Sequence, residues 1–530
     1  MISPIISRHI VGIVGILFLT CFNFGWAKNA EAQDSNYQDF ILGERAMGMG
    51  GAFTALSNDP SAAFYNPAGL AMMSRYQISL SLTIYGLEYR AKSKGVRRPE
   101  GTIDLDTLRL AVIPTTAGVA TKFGSKDRFG RREWATGITV MVPSRYIVYF
   151  REGFQINNSN NLYLLHREDQ TFWAGPSIAR RFGSFAIGIS GLYVHRDFSW
   201  LLTQTGTTQT CIGTTKPICT VNEADGLVSS IEGWVGNLTF RLGLMYEFST
   251  KWRIGLMFGL SSFRLWGEGS LLLQRFVLSR QNKGESPNQY VEQRHLVTNS
   301  TLPWEIRLGS AAKVSPRLLL SFDLAFYAPN SYTLLEVEFS KDTQKKDLEL
   351  FQYPRKIDRN MVLNFHLGAE YSLTSHVPLR LGFFTNFSSS SDDVRLKCSD
   401  QACLPQIQML GITASIGLEV GHQVLDFGFN ASYGYGTAQR IYHQEGLRFE
   451  PVSKQHLFLY LYLSGLTQVL EYGVNELVKQ FGVLSSSILK QKFLQKKPSH
   501  HQPSQQNKKG KNKGVSKNKK KRKHLKHSSS

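Results

Sequence analysis

The sequence predicts an all-β protein, a transmembrane antiparallel β-barrel of about fourteen strands. Three observations predict it. Apolar and polar side chains alternate with a period of two from Tyr76 to Leu463, tight turns alternate with long polar connections, and the chain opens on an export signal. Of 530 residues 42% are hydrophobic, yet after residue 24 no apolar run approaches the length of about 20 residues that a spanning helix needs. A polytopic helical protein is therefore excluded.

Residues 1–32 read as a signal peptide. Arg8 and His9 precede an apolar stretch from Ile10 to Phe24, too short to span a bilayer well, and Ala30-Glu31-Ala32 has the form of a signal-peptidase site. Cleavage is expected after Ala32, with Ala27 and Ala30 as competing sites. Cys21 follows Thr20 rather than Gly, Ala or Ser, which argues against a lipoprotein.

The strands are expected at 76–90, 105–121, 133–150, 161–181, 184–205, 227–248, 251–280, 290–313, 316–340, 358–373, 377–394, 407–420, 423–437 and 454–464. In the sixth, Trp234, Leu238, Phe240, Leu242, Leu244, Tyr246 and Phe248 share one parity, while Asn237, Thr239, Arg241 and Glu247 hold the other. Connections such as 182–183, 249–250, 314–315 and 421–422 are tight, and those at 206–226, 341–357, 395–406 and 438–453 are long and polar. A soluble sandwich has no reason to sort its loops in that way, whereas an outer-membrane barrel does. Once the signal is removed, four cysteines remain as two close pairs, both in connections that this count places outside the cell. Disulfides persist in oxidising compartments, so bridges Cys211–Cys219 and Cys398–Cys403 are expected. A metal site is the rival reading, but C-x7-C and C-x4-C on distant loops lack zinc spacing, and no metal is expected. Pro143 and Pro114 fall inside neighbouring strands, each removing a ladder donor, which implies an inward kink or a simple rim bulge.

Between signal and barrel lie Gly43-Glu44-Arg45-Ala46-Met47-Gly48-Met49-Gly50-Gly51-Ala52-Phe53 and Asn58-Asp59-Pro60-Ser61-Ala62-Ala63-Phe64-Tyr65-Asn66-Pro67-Ala68-Gly69-Leu70. This stretch resembles the opening of the FadL/TodX (OMPP1) family of outer-membrane long-chain fatty acid and hydrocarbon transporters. Looser similarities follow at Leu302-Pro303, Ser321-Phe322-Asp323-Leu324, Leu367-Gly368-Ala369-Glu370-Tyr371 and Leu379-Arg380-Leu381-Gly382. The resemblance implies a fourteen-stranded barrel whose residues 33–75 fold into the lumen as a plug, with Asn66, Pro67, Ala68 and Gly69 as its motif. Gly48, Gly50 and Gly51 would let plug backbone pack closely. The alternative, a phosphate loop, lacks the Gly-Lys-Ser/Thr and preceding strand it requires. By the same resemblance the Pro143 and Pro114 kink would mark a lateral gate. A fatty carboxylate would favour a lumenal cation, and Arg241, Arg253, Arg307 and Arg380 have the inward parity, although such charges more often pair with the Glu and Asp beside them. His366 and Glu370 share a face, a further metal possibility, and no catalytic constellation is present, so neither enzyme activity nor a cofactor is expected.

The barrel is expected over 76–464, an amphipathic periplasmic helix over 465–497 and a disordered Lys-rich tail over 498–530. Net charge is +21, but fifteen Lys and Arg lie between Lys490 and Lys526 with no acid among them, so basicity belongs to the tail. An exported chain rarely meets nucleic acid, and anionic periplasmic polymer or membrane is the expected contact of that tail. The expected whole is a monomer embedded in outer-membrane lipid, passing hydrophobic small molecules by diffusion. A PorV-like scaffold or shuttle in protein secretion, and a nonspecific porin, are the alternatives.

Overall fold

A computed structural model of the chain describes residues 35–469 except 74–75, 99–100, 127–129, 157–158, 213–217, 280–288, 338–355, 391–404 and 444–446. The signal peptide, Cys398 and Cys403, residues 470–497 of the expected helix and the 498–530 tail lie outside the described residues, as do the side chains of Pro114, Cys211 and Cys219.

Strands β1 Tyr76–Arg98, β2 Gly101–Lys126, β3 Arg132–Ile156, β4 Ser159–Phe182, β5 Phe185–Ile212 and β6 Ile218–Glu247 are long and continuous. The next four staves are each broken in two: β7 Trp252–Gly259 with β8 Phe263–Ser279, β9 Gln289–Val297 with β10 Glu305–Lys313, β11 Leu318–Tyr327 with β12 Asn330–Thr333, and β13 Lys356–Arg359 with β14 Val362–Thr374. Strands β15 Val377–Asn386, β16 Gln406–Val420, β17 Gln423–His443 and β18 Leu447–Val469 bring the ring to fourteen staves. Successive staves pair antiparallel, and β1 closes the ring against β18, from Tyr76 opposite Val469 to Arg90 opposite His456. Pairing places Arg241, Gly259, Glu305, Tyr327 and Val362 on one rung, so the four breaks fall at one height.

The alternation read in the sequence is the division between lipid and lumen. Leu242, Leu244 and Tyr246 face outward, as do Leu363, Phe365 and Leu367, whereas Arg241, Asn364 and His366 are buried inside. At the short-turn end Phe123, Phe182, Tyr246, Phe248 and Trp252 form part of an aromatic girdle, with Phe248 stacked on Trp252 at 4.4 Å. Tight turns there use Gly183 and Gly421 at φ of 61° and 63°, a region in which only glycine is unstrained.

At the opposite end the strands run further than alternation indicates. β5 and β6 continue through most of 206–226, and β17 and β18 through most of 438–453, as two-residue periodicity fades where both faces of a hairpin meet water. That extension sets Cys211 directly opposite Cys219 on the β5–β6 ladder, a backbone arrangement within reach of a bridge. The final strand continues to Val469, with Leu466 and Val469 in ladder pairs, so the expected helix cannot begin at 465. Of the apolar positions read at helical spacing, only Leu466 and Val469 fall in that strand, on opposite faces of it.

One ladder stops short. β2 and β3 pair from Lys126 opposite Arg132 only as far as Thr116 opposite Met141. Beyond that rung, toward the long hairpins, the described residues of β2 pair with β1 and those of β3 with β4. Pro143 lies inside the register shift between Met141 and Ser144, and Pro114 beside the shift at Ser81 and Leu82.

Candidate functional site

Residues 35–73 lie within the ring, held by inward-facing side chains of many staves. Their local shape follows from sequence. Gly43, Gly50 and Gly51 take φ of 86°, 62° and 80°, and Pro67 opens a 3-10 helix, Pro67–Met72. Asn66 is its cap: Oδ1 accepts from Ala68 N–H at 3.2 Å, while Nδ2 donates to the Thr54 and Leu244 carbonyls at 3.0 Å each. The Asn-Pro-Ala run thus ties the helix both to its own segment and to β6, and the capping bond alone contributes about 1 kcal/mol. Facing glycines in the wall make room. A Cβ on Gly243 would stand 2.2 Å from Asn66 Oδ1, and one on Gly382 would stand 2.1 Å from Gly50 N.

Charge does the remaining anchoring. The Phe53 and Thr54 amides donate to Asp323 Oδ2 at 2.8 and 2.7 Å. His366 Nδ1 donates to the Gly50 carbonyl at 2.8 Å, and Thr413 Oγ1 accepts from Gly50 N–H while donating to the Gly48 carbonyl. Arg45 makes two 2.8 Å bonds to Glu370, which also accepts from Arg380 at 2.7 Å, and Arg380 reaches Asp426 as well. Glu305 accepts from Arg241 at 2.7 Å and from Arg307, whose Nη2 also donates to the Tyr327 hydroxyl at 2.6 Å. Arg241 bonds the Phe64 carbonyl too. Arg253 pairs with Glu247 at 2.6 Å. All four arginines expected to meet ligand are thus matched by carboxylates, and three of them join clusters that grip the segment or its neighbours. No group of three or more metal-ligating side chains occurs among the described residues; His366 and Glu370 are both engaged with the segment instead.

Two carboxyls within the segment itself are buried. Burial pushes the Glu44 carboxyl well above its ordinary value of 4.5, reinforced by Asp59 and Asp426 and opposed by Arg380 and Arg45. Glu44 Oε2 has no hydrogen-bond partner among the described residues. Burial also raises Asp59, against the bonds it accepts from Ser61. A raised folded-state pKa means that the docked segment holds the proton more tightly than the undocked one. Its stabilising contribution is complete below about 4.5 and is lost as pH climbs through the raised value. Melting of the purified barrel is therefore expected to fall with rising pH across that window, and Glu44→Gln to flatten the profile; an unchanged slope would mean that Glu44 is not the titrating group.

Beside this segment, at the end of the β2–β3 ladder, lies a cavity of about 70 Å³, open in part to solvent. Pro143 and Ser144 form one side, Trp173 and Val194 the back, and Leu302 and Tyr37 a further apolar face. The Pro143 carbonyl accepts from the Asp39 and Phe40 amides at 3.0 and 3.1 Å, and Ser144 Oγ donates to Asp39 Oδ2 at 2.7 Å. The kinked stretch of β3 thus gives to residues 39–40 the hydrogen bonding that it withholds from β2. Arg196, Asp169, Asn237 and Tyr332, also in this wall, were invisible to pattern reading, since each has the inward parity shared by dozens of residues and Asp169 stands a strand away from Arg196. Pro114 stands beside a ladder shift in β2, as described above.

No family model and no curated protein matches the chain. Among solved structures, a Pseudomonas aeruginosa FadL homologue superposes with a TM-score of 0.51 at 12% identity, covering 82% of this chain and 99% of that one. The CymD monoaromatic hydrocarbon channel matches at 0.49 and 13% identity, and the Pseudomonas putida toluene transporter TodX at 0.48 and 14%, each covering 82% of this chain and 99% of its own. The first of these likenesses shows that the fold is that of the FadL-type barrel.

Proposed function

We propose that this protein is an outer-membrane channel for hydrophobic small molecules, passing them by diffusion from the cavity beside Trp173 sideways into the bilayer between β2 and β3. The observation that carries the reading is the coincidence of three features at one place: the β2–β3 ladder ends at Thr116 and Met141, Pro143 lies just beyond, and Pro143 and Ser144 help to line the cavity. Residues 35–73 act as the plug that stops water and ions from following. An apolar recess with a few polar groups suits a greasy cargo, and a gap in the wall spares it the polar layer outside and the water inside. The solved FadL homologue, with the same fold, supports it.

Pro143→Val supplies the donor that proline lacks and lets β3 pair straighter. Uptake of a hydrophobic fluorescent probe by cells is expected to drop severalfold at equal surface expression. Unchanged uptake would mean that the kink is a rim bulge and that cargo leaves elsewhere.

A further inference from the structure

With the cavity beside Pro143 taken as the place where cargo pauses, as proposed above, the hydrogen-bonding atoms left over in its wall restrict what the cargo can be. Arg196 lies in that wall, yet its guanidinium is spent. Nε and Nη2 donate to the two Asp169 oxygens at 2.9 and 2.6 Å, and Nη1 donates to Ser300 Oγ and the Tyr332 hydroxyl at 2.8 and 3.0 Å. The pair is neutral as a unit and offers no excess charge. Arg359 donates to Ser389 Oγ at 2.9 Å and covers the Tyr37 ring at 5.3 Å.

Among the other buried side chains of the wall, Trp173 at 6% exposure and Asn237 at 0% each carry a polar atom unpartnered among the described residues, and the hydroxyl of the less deeply buried Tyr37 is a third. Asn237 Nδ2 donates to the Ser300 carbonyl at 2.8 Å, but its Oδ1 and the indole N–H of Trp173 have no partner among the described residues. Buried groups of this kind are nearly always satisfied by something. Trp173, Val194 and Asn237 occupy a single rung across β4, β5 and β6. One donor and one acceptor therefore flank an apolar residue, their backbones about 10 Å apart at two strand spacings.

The geometry points to a cargo with an apolar body and a neutral hydroxyl group, an alkylphenol or a long-chain alcohol. Its oxygen accepts from the Trp173 indole, its hydrogen goes to Asn237 Oδ1, and its body covers Val194, Leu302 and Pro143. A plain hydrocarbon leaves both atoms bare. A carboxylate sets its charge against an amide oxygen, with the nearest guanidinium already neutralised.

Calorimetric titration of the full-length barrel in lipid nanodiscs with butylbenzene, 4-butylphenol and 4-butylbenzoate, corrected against empty nanodiscs, tests this. 4-Butylphenol is expected to bind tightest, about fivefold over each of the others, the value of one neutral hydrogen bond. Trp173→Phe, which keeps an aromatic ring while removing the donor along with part of the indole, is expected to erase that advantage and to change butylbenzene binding far less. Asn237→Leu should do the same from the acceptor side. Equal binding of butylbenzene and 4-butylphenol to the wild-type protein would overturn the hydroxyl preference while leaving the channel reading intact. Tightest binding of 4-butylbenzoate would overturn it in favour of an anionic cargo held by Arg359, and no binding of any of the three would bring down both readings. The wild-type series decides even if a variant fails to fold.

Discussion

Replacing Glu305 with alanine is expected to cost the docked plug about 3–5 kcal/mol, the range measured when one member of a buried ion pair is removed. Arg307 and Arg241 have side-chain exposures of 0% and 4%, and both donate to Glu305. Alanine leaves two guanidiniums in the lumen with no carboxylate between them. They can relax only by drawing water in, which means lifting Phe64 and the backbone around it away from Arg241. The undocked fraction should rise by about two to three and a half orders of magnitude, a free-energy change of that size expressed as a population. Planar-bilayer recordings should then show sustained ionic conductance through the lumen, and the melting transition should move down. Glu305→Gln, which keeps an acceptor and loses the charge, should fall between. A Glu305→Ala barrel that melts and conducts like the wild type would show that these charges are individually hydrated and that the plug does not depend on them.

The second large effect concerns the exit. Thr116 and Met141 are the last pair on the β2–β3 ladder, so Thr115 and Val142 are the next residues that would face each other if it continued. Directly opposed residues on a continuous ladder stand about 4.5–5.5 Å apart at Cα, inside the range a disulfide spans. Thr115→Cys with Val142→Cys, oxidised, should sew the wall shut above the cavity. Probe uptake is expected to fall to the level of cells lacking the protein and to return with reductant, while either single variant transports normally. Full transport by the cross-linked barrel, with the bridge confirmed by peptide mapping, would place the exit elsewhere in the wall.

Much of the fold was legible from the chain alone because a membrane barrel writes itself twice, once in side-chain parity and once in loop length. Leu363, Phe365 and Leu367 had to be apolar for lipid, and Gly421 had to allow a tight turn. All fourteen staves overlap the spans that alternation gave, but four expected as continuous, 251–280, 290–313, 316–340 and 358–373, are broken, and the one expected over 377–394 ends at Asn386. What could not be read is whatever depends on distance across the lumen. Arg45 and Glu370 are 325 residues apart, Phe53 and Asp323 are 270 apart, and nothing local marks either as a partner. The inward arginines had the right parity for ligand contact, yet parity cannot tell a free guanidinium from one already facing Glu305. The parting of β2 from β3 was only hinted at by two prolines, since a ladder ends through the geometry of two strands and proline reports on one. Trp173 and Asn237 gave no signal at all: an indole and an amide on inward positions are ordinary until their hydrogen bonds are counted.

Four adjacent staves break on the rung of Gly259, Glu305, Tyr327 and Val362, and the consequence is evolutionary. On the short-turn side of that seam each side chain answers to hydrocarbon thickness, and a residue gained or lost would turn a whole stave inside out. Across the seam, insertions at 260–262, 298–304, 328–329 or 360–361 displace only β8, β9, β12 or β13 respectively, and the membrane-fitted register stays intact. Descendants of such a barrel can revise what they admit from outside without having to solve again the problem of sitting in a bilayer.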